Sequence, residues 1–558
     1  MDFRRSIANN LWVYSSLPNR LDFIRSLNKV AVVQEQVLLK YLRRNRNTLF
    51  GKQHGFDRIH SAKQYQRDIP LTTFEDFRPY IEAIMQGKNN VLTKDRVLQL
   101  HLSSGTSSAS KHLPFTPSLQ EEFERGLVLW IGDLYLQFPE LKHGSAYWVF
   151  TPMHPPDQKN KSCVPIGFDQ DEDYFRPLRK RLMRTIMAVP PEVQHIPDIQ
   201  DLYYVTLLFL LADRNLRWIS VWNPSFIPLL LGCFSNQSCR LISDLRSGGI
   251  NTSVKLPRRL KDCLEKHLPA DPARAGEIEN IREECSRNGS APWVKFWPRL
   301  ALISCWTDAW AKNETAAVRS LFPGIVIQGK GLLATEGYMT LPFHIRHQSL
   351  PAPVLSVSTH FYEFLDTENS KPYLAHELKK NKTYEIVITT GGGLYRYRLY
   401  DLVRVEGHFG QAPCLRFLGK TGMISDIHGE KLNETHVRNV LESCFRHYGI
   451  TPDFYFMAPE IKKGTTRYVL HIESRSIKHK AREMLDYIDQ SLKDNFHYSY
   501  CRRLGQLEAP ACFLLNKGSK ELYLQEKTKT RRLGTLKISC LDKKQGWSKH
   551  LPGEYTAA

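Results

Sequence analysis

Hydrophobic residues recur along this chain with two different periods. Helical spacing near the N-terminus predicts helices over 3–27 and 30–44, and the same spacing recurs over 119–136, 201–212, 226–231 and 309–321. Short apolar runs of strand length lie between the helices and predict strands at 217–222, 294–297, 300–305, 325–328, 353–359, 384–389, 402–405 and 415–418. Strands that alternate with helices indicate an α/β architecture built of layers.

The pattern changes after Gly422. Helices at 434–444 and 477–492 then alternate with strands at 453–457, 467–472 and 511–515. A separate small α+β domain is the simplest explanation of this change. We therefore predict a large domain over residues 1–425, a second domain over 426–558, and a boundary close to 425–429.

A dense polar segment follows an alternating run at 97–102 that predicts a strand. It consists of Ser103-Ser104-Gly105-Thr106-Ser107-Ser108-Ala109-Ser110 and is followed by Lys111. Ser and Thr hydroxyls compete for backbone hydrogen bonds, and glycine permits positive φ angles. Such a loop can turn several N–H and O–H groups toward one phosphate, and Lys111 adds a cation. A solvated serine-rich turn is the alternative, and the spacing of a Walker A loop is absent.

Length and composition limit the possible classes of protein. A chain of 558 residues is too long for one hydrophobic core. No apolar run reaches the length of about 18 residues that a membrane span needs. The first residues lack the apolar region of a signal peptide, so we expect a cytoplasmic location. The 11 cysteines are scattered and form no C-x-x-C pair, which predicts free thiols and no zinc site.

The net charge of +20 raises the question of a nucleic-acid partner. Positive charge is densest over residues 516–549. No RNA-recognition, helix-turn-helix or zinc-finger pattern accompanies this charge. We therefore expect a solvated basic face and no nucleic-acid partner.

A second polar segment follows the apolar strand predicted in the middle of the chain. It contains Gly-x-Gly-x-x-Ala from Gly329 onward, which formally matches a dinucleotide-binding fingerprint. That fingerprint needs a following helix, which Gly337 and Pro342 exclude. Thr335 and Glu336 are more informative, because a hydroxyl beside a carboxylate at a strand end can bind a phosphate oxygen and Mg²⁺ together.

Two further segments carry candidate nucleotide-binding groups. Asp401 ends a Tyr-Arg-rich segment and precedes an apolar run, where a carboxylate can accept both hydroxyls of a ribose; a turn cap is its alternative role. Lys431 lies in Gly429-Glu430-Lys431-Leu432-Asn433, near the predicted domain boundary. The alternative role of Asn433 is to cap the N-terminus of the helix predicted at 434–444.

Taken in order, these motifs resemble those of the auxin-responsive acyl acid amido synthetases, the Gretchen Hagen 3 family, and of its bacterial members in particular. The resemblance rests on Ser-Ser-Gly-Thr, Ala-Thr-Glu-Gly, the Tyr-Arg segment that ends at Asp401, and Gly-Lys-Thr followed by Gly-Glu-Lys-Leu. It implies ATP-dependent adenylation of a carboxylic acid and transfer of the acyl group to an amino acid. It also implies a large adenylate-forming domain of layered α/β structure with a β-barrel-like part, and a small mobile α+β C-terminal domain.

The resemblance further implies which residues bind ATP and Mg²⁺. They are Ser103, Ser104, Gly105, Thr106 and Ser107 in the phosphate loop, Thr335 at the α-phosphate, Glu336 at Mg²⁺, Asp401 at the ribose, and Lys431 at the ribose or a phosphate. A C-terminal lysine that approaches the phosphates is also implied. We assign it to Lys537, in Gly-Thr-Leu-Lys-Ile, with Lys529 as the rival; the Pro-Arg that usually follows this lysine is absent. Glu336 and Lys537 are thus the implied catalytic residues.

An apolar acyl pocket with aromatic walls is the last implied feature. Its candidate residues are Trp218, Val221, Trp222 and Phe226, for which an ordinary core position is the alternative. The sequence identifies neither the amine-binding residues nor a general base.

Two other functions stay open at this point. A CoA-dependent ligase of the same superfamily would share the adenylation step and pass the acyl group to a thiol. The second is that of a degenerate, non-catalytic adenylation fold that serves as a basic interaction module. Such a module would not need Thr335, Glu336, Asp401 and Lys431 together, which argues against it.

We predict that Lys537→Ala lowers the adenylation rate by roughly 10²–10³, the scale of losing one preorganised donor. The variant should still form amide from a preformed acyl adenylate, because the lysine acts on charge that shifts to pyrophosphate. Pyrophosphate release and single-turnover amide formation measure the two steps. Lys529→Ala is the control and should change little. The reverse pattern would assign the role to Lys529, and normal adenylation in the double variant would exclude both.

Overall fold

The chain forms two compact units in the structure, which is a computed structural model. The first unit comprises Met1–Leu399 and Val403–Phe417, and the second comprises Tyr400–Leu402 and Leu418–Ala558. The described residues are 3–103, 111–149, 162–167, 174–251, 253–288, 293–308, 311–344, 350–420, 424–425, 427–428, 430, 432–462, 465–474, 477, 480–503, 505–528 and 539–556. The units divide a few residues before the boundary expected from the sequence. Whether they are the two functional domains stays a prediction.

Helices make up much of the first unit. They are α1 (Phe3–Ser26), α2 (Val30–Asn45), α3 (Leu49–Gln53), α4 (Ala62–Asp68), α5 (Phe74–Met85), α6 (Pro117–Gln137), α7 (Pro177–Ile186), α8 (Ile199–Ala212), α9 (Phe226–Ser247), α10 (Arg258–Glu265), α11 (Pro272–Asn288) and α12 (Ala311–Leu321). The start of α6 shows why they begin where they do. The Thr116 side chain accepts a hydrogen bond from the Leu119 backbone N–H, and Pro117 occupies the first helical position.

The strands of the first unit form separate sheets and hairpins. They are β1 (Gln99–Ser103), β2 (Lys111–Phe115), β3 (Ser145–Trp148), β4 (Leu216–Ser220), β5 (Leu302–Cys305), β6 (Val326–Gly329), β7 (Leu333–Ala334), β8 (Gly337–Tyr338), β9 (Thr340–Leu341), β10 (Val354–Leu355), β11 (Phe361–Asp366), β12 (Pro372–Leu374) and β13 (Thr383–Thr389). Two longer strands, β14 (Tyr397–Phe409) and β15 (Ala412–Lys420), contribute residues to both units.

A parallel sheet has the strand order β3-β4-β5-β6. Parallel neighbours need crossover connections, and α7 to α12 supply them along the chain. The carboxyl ends of these strands therefore lie along one edge, at Trp148, Ser220, Cys305 and Gly329. A second sheet has the order β12-β11-β13-β14-β15-β10-β9.

The second unit is a small α+β structure. Its further elements are β16 (Ile424–Ser425), β17 (Leu432–Asn433), α13 (Glu434–Tyr448), β18 (Phe454–Lys462), β19 (Thr465–Glu473), α14 (Ala481–Leu492), α15 (Phe496–Arg503), β20 (Ala511–Leu515), α16 (Ser519–Thr528) and β21 (Gly553–Tyr555). Its main sheet has the order β18-β19-β20-β21. The predicted α/β fold, with a larger first part and a smaller second part, is confirmed.

The structure corrects two local predictions. Residues 294–297 are not a strand, because Trp293–Lys295 forms a 3₁₀ turn. The rings of Trp293, Phe296 and Trp297 pack together within the core, and their spacing is that of a helical turn. The helix predicted to end at residue 231 continues to Ser247 as α9, with a kink at Gln237.

Two absences were also expected from the sequence. Within the described residues, none of the helices combines the length and the apolar character that a bilayer crossing requires. The cysteines are free thiols, as predicted.

Close packing of α6 against β8 generates a test of the fold. A Cβ added at Gly126 would lie 2.5 Å from the Tyr338 ring. We predict that Gly126→Ala lowers the free energy of unfolding by about 1–3 kcal/mol, the usual cost of overpacking, although alanine favours helices. Chemical denaturation measures this change. Gly232→Ala in α9 is the matched control, because no atom lies within 4 Å of its added Cβ. The control should keep stability or raise it by up to about 1 kcal/mol, and equal values for both variants would contradict the packing.

Candidate active site

The predicted phosphate loop joins two paired strands. β1 and β2 form an antiparallel hairpin in which Ser103 is opposite Lys111, so both backbone ends of the loop are held side by side. Residues 104–110 and the Ser103 side chain lie outside the described residues. Lys111 Nζ lies 3.3 Å from the Tyr397 hydroxyl oxygen and close to the rings of Phe74 and Tyr397. This ammonium is therefore held at one end of the loop by aromatic side chains.

Thr335 and Glu336 form the tip of a tight hairpin. In the β7–β8 pair, Ala334 is opposite Gly337, which leaves only these two residues in the turn. The formal dinucleotide fingerprint thus continues into a hairpin and not into a helix, as expected. Both side chains are half-buried, and neither has a hydrogen-bond or ion-pair partner among the described residues. A hydroxyl and a carboxylate are therefore available next to each other.

Glu122, on α6, holds several segments of the first unit together. Its buried carboxylate accepts a 2.7 Å hydrogen bond from the Tyr41 hydroxyl and 3.1 Å hydrogen bonds from the Gly391 backbone N–H. Its Oε2 lies 2.9 Å from His360 Nδ1. Burial and the adjacent carboxylate raise the pKa of Tyr41 well above its usual value, so the hydroxyl stays a donor. We call Tyr41, Glu122, His360 and Gly391 the Glu122 network.

His360 connects the Glu122 network to the hairpin turn. Its Nε2 accepts a 3.0 Å hydrogen bond from the Tyr338 backbone N–H, and its Nδ1 lies beside the Glu122 carboxylate without forming a hydrogen bond to it. A Cβ at Gly337 would lie 2.9 Å from His360 Nε2, and a Cβ at Gly391 would lie 2.4 Å from Glu122 Oε1. Glycine is required at both places. The sequence analysis missed Glu122 and His360, because a single helical Glu and a single loop His carry no motif.

Asp401 belongs to the second unit. It lies inside β14 and not in a turn, so the turn-cap role is not seen. Its carboxylate is buried, and Lys420 Nζ lies 2.9 Å from its Oδ1. The preceding residue, Tyr400, has a φ of +61°, which is rare for a bulky residue. The ribose-binding role of Asp401 stays a prediction.

Glu430 anchors the segment that carries the predicted nucleotide-binding lysine of the second unit. Its buried carboxylate accepts hydrogen bonds from the backbone N–H groups of Ile427, at 3.0 Å, and His428, at 2.8 Å. It also accepts one from the Tyr468 hydroxyl. These contacts fix the chain directly before Lys431.

Lys431, Lys529 and Lys537 lie outside the described residues, so their roles stay predictions. Asn433 does cap α13, because its Oδ1 accepts a 2.7 Å hydrogen bond from the His436 backbone N–H.

Of the four predicted acyl-binding residues, Trp218 lies on β4, Val221 and Trp222 follow that strand directly, and Phe226 is the first residue of α9. The Trp218 ring packs 5.6 Å from Trp130 of α6, whereas Phe226 packs 5.5 Å from Tyr203 of α8. Trp218 also lines a cavity of about 10 Å³, which is too small for an acid substrate. Val221 is fully buried and Trp222 is half-buried. A pocket that these residues share would lie at the sheet edge, and their acyl-binding role stays a prediction.

Aromatic side chains collect at the carboxyl edge of the parallel sheet. Trp222 follows β4 and Trp306 follows β5, with ring centroids 6.0 Å apart. Lys330 follows β6, and its Nζ lies 3.9 Å from the centroid of the Trp222 ring and 5.4 Å from that of Trp130. In open α/β sheets this edge is where ligands bind. We call Trp130, Trp222, Trp306 and Lys330 the edge cluster.

Sequence reasoning also missed Lys330. The sequence signal for Lys330 is a lysine that comes almost directly after an apolar strand, in a segment where the glycines, Thr335 and Glu336 are more prominent. Burial lowers the pKa of Lys330 to about 7, because the charged form loses its hydration. The adjacent thiol of Cys305 has its pKa raised to about 11 by burial, so it is neutral at physiological pH.

Glu336 is the candidate for a metal ligand. The described residues contain no group of three His, Cys, Asp or Glu side chains that could hold a metal ion. Mg²⁺ in nucleotide sites needs only one or two carboxylates, together with phosphates and water. A half-buried carboxylate at a turn, without a described partner, fits that donor set.

Comparison with known proteins identifies relatives along most of the chain. The model of the GH3 family N-terminal domain matches residues 21–326, that of the central domain matches 353–420, and that of the C-terminal domain matches 435–545. An indole-3-acetic acid-amido synthetase of Arabidopsis thaliana is 22% identical over 93% of this chain and 86% of its own length. A jasmonoyl–L-amino acid synthetase of Nicotiana attenuata is 24% identical over 74% of this chain and 73% of its own.

A solved structure supports the fold. An acyl acid amido synthetase in complex with 2,4-DB superposes with a TM-score of 0.84, over 97% of each chain, at 18% identity. At this level of identity the match establishes the fold of the chain.

The lowered pKa of Lys330 gives a prediction about stability. Between pH 7 and pH 10.5 the unfolded lysine carries a proton that the folded one releases, so its contribution to stability rises with pH. Below pH 7 the folded protein bears the full cost of a buried charge. Lys330→Met should therefore raise the free energy of unfolding most at pH 7 and below, on the order of 4 kcal/mol, with little gain at pH 10.

Chemical denaturation at both pH values measures this difference between variant and wild type. Lys382→Met, at an exposed lysine paired with Glu368, is the control and should show no such pH dependence. A pH-independent effect of Lys330→Met would contradict the lowered pKa.

Proposed function

Because the chain belongs to the GH3 family, we propose that it is an acyl acid amido synthetase. It uses ATP to activate a carboxylic acid as an acyl adenylate and then joins the acyl group to the amine of an amino acid. The names of curated relatives, which describe indole-3-acetic acid and jasmonoyl amido synthetases, support this activity. The edge cluster supports an acid with an aromatic or otherwise apolar body.

The arrangement of side chains at the Thr335–Glu336 turn supports this function most. The turn presents a hydroxyl and a carboxylate side by side, neither with a partner among the described residues. Tyr338 comes two residues after this turn. Its backbone N–H donates a hydrogen bond to His360, whose ring lies beside the Glu122 carboxylate. Preorganised groups of this kind accelerate reactions because they need no rearrangement as charge develops.

Adenylation requires a leaving group, because a carboxylate is a poor electrophile. A carboxylate oxygen forms a bond to the α-phosphorus of ATP, and the bond from that phosphorus to pyrophosphate breaks. Thr335 would bind an α-phosphate oxygen, the polar segment 103–107 would offer N–H and O–H groups to the phosphates, and Glu336 would hold Mg²⁺. Bound Mg²⁺ supplies neutralisation of phosphate charge. The contribution of the chain is therefore mainly to position charged reactants.

Amide formation follows at the same acyl carbon. The amine nitrogen forms a bond to that carbon, the bond to AMP breaks, and the amine loses a proton. Water has to be excluded until the amine arrives, and bulky aromatic residues at the sheet edge suit this purpose. Two successive half-reactions also support the predicted mobility of the C-terminal domain, and the use of ATP supports a cytoplasmic location.

A CoA-dependent ligase is the second candidate function. It would share the adenylation residues and differ only in its acceptor, which is a thiol. The amido synthetase names of the relatives favour the amide, and the nature of the acceptor is the property that separates the two functions.

Acid-dependent pyrophosphate release, measured over panels of acids and amino acids, tests the proposal, and mass spectrometry identifies the amide.

We predict that Glu336→Gln keeps the fold and lowers pyrophosphate release by about 10² or more, as for a lost electrostatic group. Glu368→Gln, at an exposed carboxylate, is the matched control and should retain activity. Wild-type turnover in Glu336→Gln would contradict the role of the turn. Product with CoA but with no amine would favour the second function.

A further inference from the structure

Lys330 places a cation inside an aromatic environment. Its side chain is only 6% exposed, and its Nζ lies 3.9 Å from the centroid of the Trp222 ring. Among the described residues no carboxylate lies within ion-pair distance of this ammonium. The nearest aromatic partners are Trp222 and Trp130, from two different segments of the first unit.

Aromatic contacts alone do not compensate for this burial. A cation–π contact offsets only part of the cost of removing an ammonium from water, and a buried charge is best stabilised when an anion pairs with it. A leucine or methionine would fill a similar apolar volume without that cost. An anion that is not part of the described chain would account for a lysine at this position.

The place of Lys330 in the fold indicates where that anion comes from. Lys330 follows β6 at the carboxyl edge of the parallel sheet, where ligands bind in open α/β folds. The same segment continues to Thr335 and Glu336, which would meet the reacting carboxylate and ATP. An acid whose reacting end is at this turn and whose body lies on Trp222 would direct its far end toward Lys330.

We propose that the acid substrate carries a second carboxylate at the far end of an aromatic body, and that this carboxylate forms an ion pair with Lys330. Lys330 is then a specificity-determining residue of the acyl pocket. This inference rests on the proposed function, because it concerns the acid that the enzyme activates.

The ion pair would make acid binding depend on pH. Of the elements packed against Lys330, α6 and the segment after β4 present Trp130 and Trp222, which do not titrate, and β5 presents the Cys305 thiol, which stays neutral below its pKa of about 11. Burial lowers the pKa of Lys330 itself to about 7. Above pH 7 the protein must therefore take up a proton when a second carboxylate binds. The affinity for such an acid should fall about tenfold per pH unit.

Two acids of nearly the same shape test the proposal. Para-carboxyphenylacetate carries the second carboxylate, and para-nitrophenylacetate carries a neutral group of the same size. Calorimetry with the full-length protein, without ATP, measures both dissociation constants for wild type and Lys330→Met. We expect wild type to prefer the carboxy acid, and Lys330→Met to lose roughly 10- to 100-fold of this preference, the range for a hydrogen bond to a charged group. The affinity for the nitro acid should not change, and Lys382→Met should behave as wild type.

A second measurement uses wild type alone. Titrations near pH 8 in buffers with different heats of ionisation report proton uptake, which should approach one proton for the carboxy acid and zero for the nitro acid. Equal losses for both acids in Lys330→Met would mean that Lys330 meets the reacting carboxylate and would overturn the proposal. An unchanged preference, or no binding of the carboxy acid by wild type, would also overturn it. Pyrophosphate release over the acid panel tests the proposed function separately.

Discussion

The buried carboxylate of Glu122 is the constraint on which the rest of the candidate site depends. A charge removed from water is tolerated only when its oxygens are satisfied by donors. The Tyr41 hydroxyl and the Gly391 backbone N–H donate to it, and the His360 ring lies beside it, with Nδ1 2.9 Å from Oε2. The arrangement is therefore cooperative, since loss of one donor would leave a buried charge that the others cannot compensate. Through His360 the same carboxylate fixes the backbone next to the Thr335–Glu336 turn.

The Tyr-Arg segment has a supporting role of the same kind. Arg396 forms buried hydrogen bonds of 2.8–3.1 Å to Glu363 of β11, and Arg398 pairs with Glu385 of β13. A paired guanidinium and carboxylate keep a fixed geometry because two parallel hydrogen bonds define it. The arginines of this motif thus brace the central sheet of the first unit. Tyr400 and Asp401, at the end of the motif, belong to the second unit.

The parts of the structure that the sequence could predict are those with local signals. Apolar periodicity located most helices and strands, and dense polar motifs marked the segment that follows β1 and the pair Thr335–Glu336. The aromatic residues at 293–297 were read with the wrong period, because a short run fits both a strand and one helical turn. Glu122 and His360 could not be found in this way. Their importance comes from contacts between distant segments, and single residues of these types occur throughout any soluble protein.

The edge cluster draws its side chains from the ends of separate strands and from one helix. None of these side chains takes part in the hydrogen bonds of the Glu122 network. Under the proposed function, substitutions at Trp222, Trp306 or Lys330 would therefore alter which acid fits and leave the hydrogen bonds of the Glu122 network in place. Such separation lets descendants of one ancestral enzyme acquire different acids through a few point mutations. The chemistry of activation is inherited intact while the choice of substrate diverges.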